Sequence, residues 1–546
     1  MKKTFRLSDY RLVHIGILLL CMIPAQFVLD SNTMIPVAMA QEIQEEEALD
    51  GFDSSEAPDE EDAALSGFGD ETPPAETSKV RSLDDVPLEE MIPTETHKQP
   101  LEILMERLQP EQPRETPQPV WLIYKTIREQ GVLHGTYGFN SSYNHAYPEP
   151  EDPDLPDYSR LSKLKFYLQL DWKMDLETGW KAKVSAKASH DLFYSLQDRS
   201  RFSEEVLREH ETEAELREVY IQSNLPFSVD LKFGRQILVW GKSDYLRVTD
   251  ILNPLDNREP GMVDIDDLRL PVTMTRLDVY AGNVNLQGVL IHEIRFDKIP
   301  PYGSEFYPLE GPLPPEKMPK SDDRKNWEYG LALNFQFGSF DGSLYWADVF
   351  NDTFHLVVRQ YQMLPTGEVI PVLMERQHSR LLMRGTAWNR VIGDWSLKAE
   401  MAVLDGLRYF ATPETLWQRE DLLGSIEYAG LTDTTMTFEI LRQQLNNFDQ
   451  RLNNAVDGVL DENFTEVVSY RRNFRRNTLR LVLLGMIFGK EGENGSFSRL
   501  SLEYQVDDHF SIQVGGVGYE GGTEQNVVTE KYKNNDRIFL NGKYAF

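Results

Sequence analysis

The sequence contains a contiguous Ser-His-Asp run, Ser189-His190-Asp191, where hydrolytic chemistry could be sought. A catalytic triad needs a nucleophile, a base within hydrogen-bond reach and an orienting acid. Adjacent residues on a strand point to opposite faces, so these three side chains cannot meet. No Gly-x-Ser-x-Gly elbow, His-Glu-x-x-His helix or glycine-rich phosphate loop accompanies the histidines. The sequence therefore predicts that the protein is not an enzyme.

Metal and cofactor chemistry finds equally little support in the residue types. The single cysteine, Cys21, lies in the N-terminal leader, so the mature chain is expected to lack disulfides, thiolate metal sites and a cysteine nucleophile. Asp and Glu are abundant in residues 41–120, but their spacing matches no calcium-binding loop. We therefore predict that the protein uses no cofactor.

The clearest chemical pattern is a run of charged residues at alternate positions between 161 and 191, while apolar residues such as Leu168 and Trp172 take the other parity. In a transmembrane β-barrel the apolar face meets lipid and the polar face lines a wet lumen. A three-residue turn would set Asp175 opposite Lys181, and Lys173 opposite Lys183. The lysine excess predicts either an anion-attracting wall or an ordinary polar lumen. The expected lumen-lining residues are Lys165, Asp171, Lys173, Asp175, Lys181, Lys183 and Lys187.

Strands must hold these residues in position, and the chain from about His134 onwards has the pattern of strands. It contains 18 segments of alternating character, separated by turn signals. Short connections alternate with long ones, at 195–213, 241–271, 297–325, 351–379 and 447–462. This asymmetry is how outer-membrane barrels are built. We predict an all-β fold, a transmembrane antiparallel β-barrel of about 18 strands (16–18) formed by residues 121–546.

The N-terminal 120 residues differ from the rest of the chain in composition. A basic start, an interrupted apolar run from Val13 to Leu29 and Ala38-Met39-Ala40 are typical of a signal peptide over residues 1–40. Residues 41–120 contain 23 Asp and Glu against five Lys and Arg, a net charge of −18, and are expected to be disordered in the periplasm. This charge argues against a nucleic-acid partner.

Two similar peptides lie within the acidic segment, ALDGFDSSE at 48–56 and ALSGFGDET at 64–72. Each contains a Gly-Phe pair, and a disordered segment has little use for Phe unless a partner binds it. Phe52 and Phe68 are therefore candidates for docking a periplasmic partner. Chance similarity within a biased composition is the alternative.

The long loop at 241–271 mixes both signs of charge. Paired charges inside a wet lumen could form a constriction and set ion selectivity, whereas the same residues outside it would make a solvated external loop. The constriction candidates are Asp244, Arg247, Asp256, Arg258 and Arg269.

The stretch LKFGRQILVWGKSDYLRVTDILNPLDNREP, residues 231–260, is the most distinctive part of the chain. With SYRRNF, SLEYQV and the C-terminal strand, it resembles a family of uncharacterised proteobacterial outer-membrane barrels, a domain-of-unknown-function group similar to alginate-export and other porin-like barrels. The resemblance implies a porin-like barrel with a long loop folded into or over its lumen. It also implies that some members work with inner-membrane exporters of the resistance-nodulation-division type.

The chain ends in DRIFLNGKYAF, an alternating strand with an aromatic last residue. Tyr544 and Phe546 resemble the terminal signal read by the barrel-assembly machinery, and we expect them at the periplasmic rim, in contact with outer-membrane lipid. Two functions follow for such a protein in a Gram-negative outer membrane. One is a passive channel or export conduit, working alone or with an inner-membrane exporter, and the other is a plugged barrel that docks an envelope assembly.

Overall fold

The computed structural model describes residues 131–546, except 177–178, 264–267, 310, 454–457 and 523–527. The predicted signal peptide, the acidic segment with Phe52 and Phe68, and the first ten residues of the predicted barrel domain lie outside the described residues.

The described part of the chain contains 20 strands, of which 18 form one sheet and two form a separate hairpin. The barrel strands are β1 (Gly131–Asn144), β2 (Arg160–Asp175), β3 (Trp180–Asp191), β4 (Thr212–Leu225), β5 (Val229–Gln236), β6 (Val272–Ala281), β7 (Val284–Ile291), β8 (Glu328–Phe337), β9 (Phe340–Phe350), β12 (Arg380–Ile392), β13 (Trp395–Leu407), β14 (Trp417–Leu431), β15 (Thr434–Leu445), β16 (Glu462–Phe474), β17 (Leu479–Phe488), β18 (Ser496–Gln505), β19 (Phe510–Glu520) and β20 (Arg537–Ala545). The hairpin strands are β10 (His355–Met363) and β11 (Val369–Gln377).

Every barrel strand pairs antiparallel with the next one along the chain, and β9 pairs with β12 across the hairpin. The sheet closes where β20 pairs with β1, from Thr136 opposite Ala545 to Asn144 opposite Arg537. Closure leaves no free edge, which is the condition for a sheet to span lipid. The predicted class and the predicted count of 18 strands are confirmed.

Along the barrel strands, the apolar residues of the alternating pattern point outward. Leu170, Trp346, Ile426 and Leu540 are between 37% and 46% exposed, far more than such side chains show in a soluble core. Burying each in lipid instead of water is worth about 1.5–3 kcal/mol. The alternation therefore defines a lipid-facing surface around the barrel.

Eight short turns close one rim, and longer segments connect the strands at the other rim. Gly282 and Gly393 occupy two of the short turns at φ 60°, a left-handed conformation that tight hairpins require. The long connections contain short helical turns: α1 (Phe193–Leu196), α2 (Glu204–Val206), α3 (Val528–Tyr532), a π-helical turn (Leu207–Glu211) and three 3₁₀ turns (Arg199–Arg201, Arg324–Asn326, Gln450–Leu452). Among the described residues, no helix is long and apolar enough to cross a membrane.

Two details differ from the sequence-based expectation. The loop predicted at 351–379 contains the β10–β11 hairpin, whose strands pair from His355 opposite Gln377 to Met363 opposite Val369. The strand predicted at 228–240 ends earlier, at Gln236. The chain leaves the sheet there because the Leu238 amide donates to Asn253 Oδ1, 2.8 Å away, and no longer to a neighbouring strand.

One side of the lumen wall is apolar. Met274, Met383, Leu441, Leu484 and Met486 face inward and are fully buried. The sequence of β17, LRLVLLGMIF, explains this apolar wall, because after Arg480 the strand is apolar on both faces and does not alternate. An apolar inner wall must be covered, and the segment after β5 supplies the cover.

The closing strand gives the first prediction. The Phe546 backbone exchanges two hydrogen bonds with Gly135, at 2.8 and 2.9 Å, and its ring lies in the space a side chain at 135 would need. We expect Phe546→Ala to lower the free energy of unfolding in liposomes by about 1–2 kcal/mol, less than a fully buried Phe costs. It should also reduce the heat-modifiable, folded fraction in the outer membrane.

Phe337 is a suitable control because it is also an exposed rim aromatic, but it does not close the barrel. An equal loss of folded protein in Phe337→Ala would contradict a special role for the terminal residue.

Candidate functional site in the lumen

Residues 237–271 connect β5 to β6, and we call this segment the lumen loop. It starts along the apolar inner wall. The Trp240 ring stacks on Tyr345 with ring centres 4.8 Å apart, and its Nε1 donates to Gln287 at 2.9 Å. The Gly241 amide donates to the Tyr345 hydroxyl at 3.1 Å. The loop therefore turns into the barrel at once, toward strands far from β5.

Glu400 on β13 is the first fixed point for the loop backbone. Its side chain accepts hydrogen bonds from the amides of Lys242, Ser243 and Thr249 at 2.5, 2.7 and 3.2 Å. The Thr249 hydroxyl adds a fourth bond at 2.8 Å. A buried carboxylate is costly unless it is fully hydrogen-bonded, and Glu400, 2% exposed, meets that condition with loop donors.

Glu439 on β15 is the second fixed point. It accepts from the amides of Asp244, Tyr245 and Leu246 at 2.9, 3.2 and 3.1 Å and from the Ser243 hydroxyl at 2.8 Å. Charge-assisted bonds of this kind are roughly twice as strong as neutral ones. Two inward carboxylates therefore hold one turn of irregular backbone in the middle of the barrel.

The loop reaches further, to β16. The Tyr245 hydroxyl donates to Ser469 Oγ at 2.6 Å, and the Arg471 guanidinium lies over the Tyr245 ring, 5.3 Å from its centre. Lys398 on β13 also pairs with Asp244 at 2.6 Å. The outgoing arm of the loop thus crosses from β5 to the opposite side of the lumen.

The returning arm contacts the other wall. Arg258 bonds Asp256 at 2.6 Å and Glu213 on β4 at 3.1 Å. Lys163 on β2 pairs with Glu259, and the Tyr519 hydroxyl on β19 donates to the Pro260 carbonyl. The lumen loop is therefore tied to β2, β4 and β19 as well as to β13, β15 and β16.

The ion pairs of the returning arm shift the pKa values of its charged groups. Burial alone would raise the pKa of Asp256, but the Arg258 guanidinium holds it well below its usual range. Burial likewise opposes ionisation of Glu259, and the Lys163 ammonium again keeps its pKa well below normal. Burial lowers the pKa of His210, which lies 3.7 Å from Glu259. At neutral pH the arm therefore carries ionised carboxylates beside a neutral imidazole.

A polar cavity of about 280 Å³ remains between the returning arm and the wall of β1–β4 and β18–β20. Its carboxylates have cationic partners: Glu215 pairs with Arg295 at 2.5 Å, and Glu259 with Lys163. Lys165 also lines it, and no carboxylate among the described residues lies within ion-pair distance of that ammonium. The cavity thus contains one ammonium group that is not in an ion pair.

A second cavity, of about 710 Å³, lies toward the short-turn rim. Glu503 and Lys543, 2.9 Å apart, line both cavities, so the two are neighbours along one polar passage. Arg471 and Arg480 line the rim cavity, and neither has a carboxylate partner among the described residues.

The predicted lumen-lining residues lie on the inward faces of β2 and β3. The register pairs Asp175 with Lys181 and Lys173 with Lys183, as a three-residue turn requires. Lys183 bonds Glu218, while Asp171 lies near Gln169, whose amide donates to it at 2.9 Å. Of the seven residues, Lys165 and Lys187 line the 280 Å³ cavity.

The constriction candidates divide into three groups. Asp256 and Arg258 line the cavity. Arg269 pairs with Asp250 at 2.8 Å, and Arg247 donates to the Asp250 and Asn253 carbonyls at 2.6 and 2.8 Å, so these two arginines brace the loop internally. Asp244 fixes the loop to the wall through Lys398.

Sequence reasoning missed Glu400, Glu439, Glu213 and Lys163. The signal was weak but present, because Glu400 and Glu439 are the only acids in SLKAEMAV and TFEILRQQL. A carboxylate buried on an inner face needs hydrogen-bond donors, which another segment can supply. Within the described ranges, no group of three or more His, Cys, Asp or Glu side chains is arranged to hold a metal ion.

The closed sheet, its lipid-facing exterior and its polar passage define a porin-like outer-membrane β-barrel. The family described as "Protein of unknown function (DUF1302)" matches residues 152–417, from the β1–β2 connection to the first residue of β14. This match confirms the resemblance to an uncharacterised outer-membrane barrel family. No protein of curated function matches the chain.

Several solved barrels are similar in fold. OccAB2 of Acinetobacter baumannii is 10% identical with a TM-score of 0.45, covering 77% of this chain and 98% of that chain. A BenF-like porin from Pseudomonas fluorescens Pf-5 is 11% identical with a TM-score of 0.44, covering 76% and 98%. Pseudomonas aeruginosa OccK2 (OpdF), solved with glucuronate, is 11% identical with a TM-score of 0.43, covering 77% and 98%. At these values the similarity concerns the fold alone.

The anchoring of the lumen loop gives the second prediction. In Glu439→Ala, three backbone amides and one hydroxyl lose a charged acceptor worth about 1.5–3 kcal/mol per bond. We expect the amides of residues 244–246 to exchange with deuterium at least roughly tenfold faster, measured by mass spectrometry of the protein in micelles.

Glu420→Ala serves as the matched control, because Glu420 is an exposed acid at the start of β14 that bonds Asn446. If both variants exchanged residues 244–246 at the same rate as the parent, Glu439 would not be an anchor.

Proposed function

We propose that the protein is a passive outer-membrane channel for polar solutes, narrowed by the lumen loop. The observation that carries this proposal is the loop's path, tied to Glu400 and Glu439 on one wall and to Lys163 and Glu213 on the other. This path leaves a polar passage beside the loop, whose residues would contact anything that moves through the barrel.

The proposal includes an orientation. Short turns face the periplasm and long connections face the outside in barrels of this class, so the 710 Å³ cavity would be a periplasmic vestibule. The acidic segment 41–120 would then be periplasmic. Coupling to an inner-membrane exporter or another periplasmic component, with Phe52 and Phe68 as docking residues, is part of the same proposal.

One observation favours a second candidate, a plugged barrel that serves as a docking protein. The lumen loop packs Leu238, Trp240 and Leu246 into a continuous apolar core with the inner wall. Packing of this density resists movement. Such a barrel would conduct nothing and would act through its rim and its N-terminal segment.

Planar-bilayer recording of the purified full chain separates the two candidates. We expect steady single-channel currents from the parent and a severalfold larger conductance from a Glu400→Ala, Glu439→Ala double variant, because the loop loses both fixed points on β13 and β15. Replacing residues 243–262 by a Gly-Ser linker tests the same expectation more strongly.

A matched control shortens the β10–β11 hairpin at residues 364–367, which line neither cavity, and should leave the conductance unchanged. Silence of the parent and of both loop variants, with all proteins folded by heat-modifiable mobility, would exclude the channel and favour the docking protein.

The charges along the passage predict its ion preference. Lys165, Arg471 and Arg480 have no carboxylate partner among the described residues, whereas the described acids of the 280 Å³ cavity are paired. Uncompensated cations in a narrow lumen attract anions. In a KCl gradient we expect the reversal potential to show a preference for Cl⁻ over K⁺, and Lys165→Glu with Arg480→Glu to reduce or reverse it.

Arg384→Gln is the control, since Arg384 lies on the outward face and pairs with Asp405. A cation-selective parent, or a parent and a double variant with the same reversal potential, would show that these residues do not set the selectivity.

A further inference from the structure

Among the eight short turns, only one contains basic residues. Of the eight short turns, seven contain no Lys or Arg, and four of those seven carry an acid, such as Asp394, Asp433 or Asp508. The turn between β16 and β17 contains Arg475 and Arg476, and the sequence around it is YRRNFRRNTLR. The basic residues of the short turns are therefore confined to one of the eight turns.

The arginines of this turn point in different directions. Arg471 and Arg480 share the inward parity and line the rim cavity. Arg475 and Arg476 occupy the tip, with φ of 51° and 56°, and both are exposed. Thr478 closes the turn by donating its hydroxyl to the Arg475 carbonyl at 2.8 Å. The two tip arginines have no carboxylate partner in the part of the chain that the structure describes.

Arg472 lies on the outward, lipid-facing parity. Its guanidinium sits 4.9 Å from the centre of the Phe474 ring. The register places Leu481 directly opposite Arg472 and Leu479 opposite Phe474, and Tyr470 comes next on the same face. The result is an exposed cation close to the rim. Phe474 and Leu479 lie between it and the turn, and Leu481 and Tyr470 continue the apolar strip toward the middle of the membrane.

We propose that Arg472, Arg475 and Arg476 bind the phosphate of an anionic phospholipid in the periplasmic leaflet. Guanidinium groups bind phosphate oxygens in pairs, and clustered arginines at a membrane surface attract anionic lipid. The acyl chains run from Arg472 along Leu481 and Tyr470, continuous with the lipid-facing belt, while Phe474 and Leu479 lie at the level of the headgroup. This site concerns the rim and does not depend on whether the lumen conducts.

Geometry favours a lipid over an acidic protein as the ligand. Arg472 is on the face that the barrel presents to the bilayer, where the outward Leu479 and Leu481 lie on the neighbouring strand. A soluble periplasmic protein could reach the tip residues but not Arg472 together with its apolar strip. The two lumen-facing arginines, Arg471 and Arg480, border the polar rim cavity and have no such apolar strip beside them.

The test measures lipid retention by the full-length protein. Purified protein is exchanged into detergent, incubated with cardiolipin, phosphatidylglycerol or phosphatidylethanolamine, and examined by native mass spectrometry. We expect the parent to retain cardiolipin and phosphatidylglycerol at least about tenfold more than phosphatidylethanolamine. Arg472→Gln, Arg475→Gln, Arg476→Gln together should lose that preference, at about fivefold per arginine.

Two further variants keep the test decisive. Arg384→Gln, another outward arginine, should retain anionic lipid as the parent does. Arg475→Gln alone changes an exposed turn residue and keeps the test usable if the triple variant does not fold. Equal retention of phosphatidylethanolamine by the parent, or unchanged cardiolipin retention in the triple variant, would overturn the proposal. Loss of an acidic envelope protein from the triple variant, with lipid retention unchanged, would assign the turn to a protein partner instead.

Discussion

The interior of this barrel depends on where an irregular backbone finds its hydrogen-bond acceptors. The lumen loop has no strand or helix to satisfy its amides, and unsatisfied amides at that depth would be costly. Glu400 and Glu439 solve this problem by accepting six backbone amides and two hydroxyls between them. In return, the loop donors make two buried carboxylates tolerable. Each side of this arrangement is unstable without the other.

The position of the loop then determines the shape of the lumen. Once its first half is fixed at the middle of β13 and β15, its apolar residues cover the inner wall formed by residues such as Met383 and Leu441. The remaining space lies against the opposite wall, where strands such as β2 and β3 keep their polar alternation. At the level of the loop the passage is thus one-sided, because the wall under the first half of the loop is apolar and the wall opposite is polar.

Much of this architecture could be predicted from the sequence, because closure and lipid contact force alternation on many strands. The register of β2 with β3, Asp175 opposite Lys181, follows from parity and turn length alone. The apolar half of the lumen could not be obtained by the same rule, which assigns every inward residue to water. The strand β17 departs from that rule, because its inward residues beyond Arg480 are apolar. Glu400 and Glu439 were out of reach because their donors lie more than 150 residues away in sequence.

The charge that a solute meets in the passage depends on which side chains are in ion pairs, and not on the net charge of the chain. The chain carries a formal net charge of −32, which taken alone would suggest a pore that repels anions. Yet the described carboxylates that line the 280 Å³ cavity are bonded to Arg258, Arg295, Lys163 or Lys543, and a paired acid exerts little field at a distance. Lys165 and Arg480 have no such partner among the described residues, so their field is the one that a solute meets. The same reasoning applies at the rim, where acids spread over four turns leave the arginines of the β16–β17 turn unneutralised.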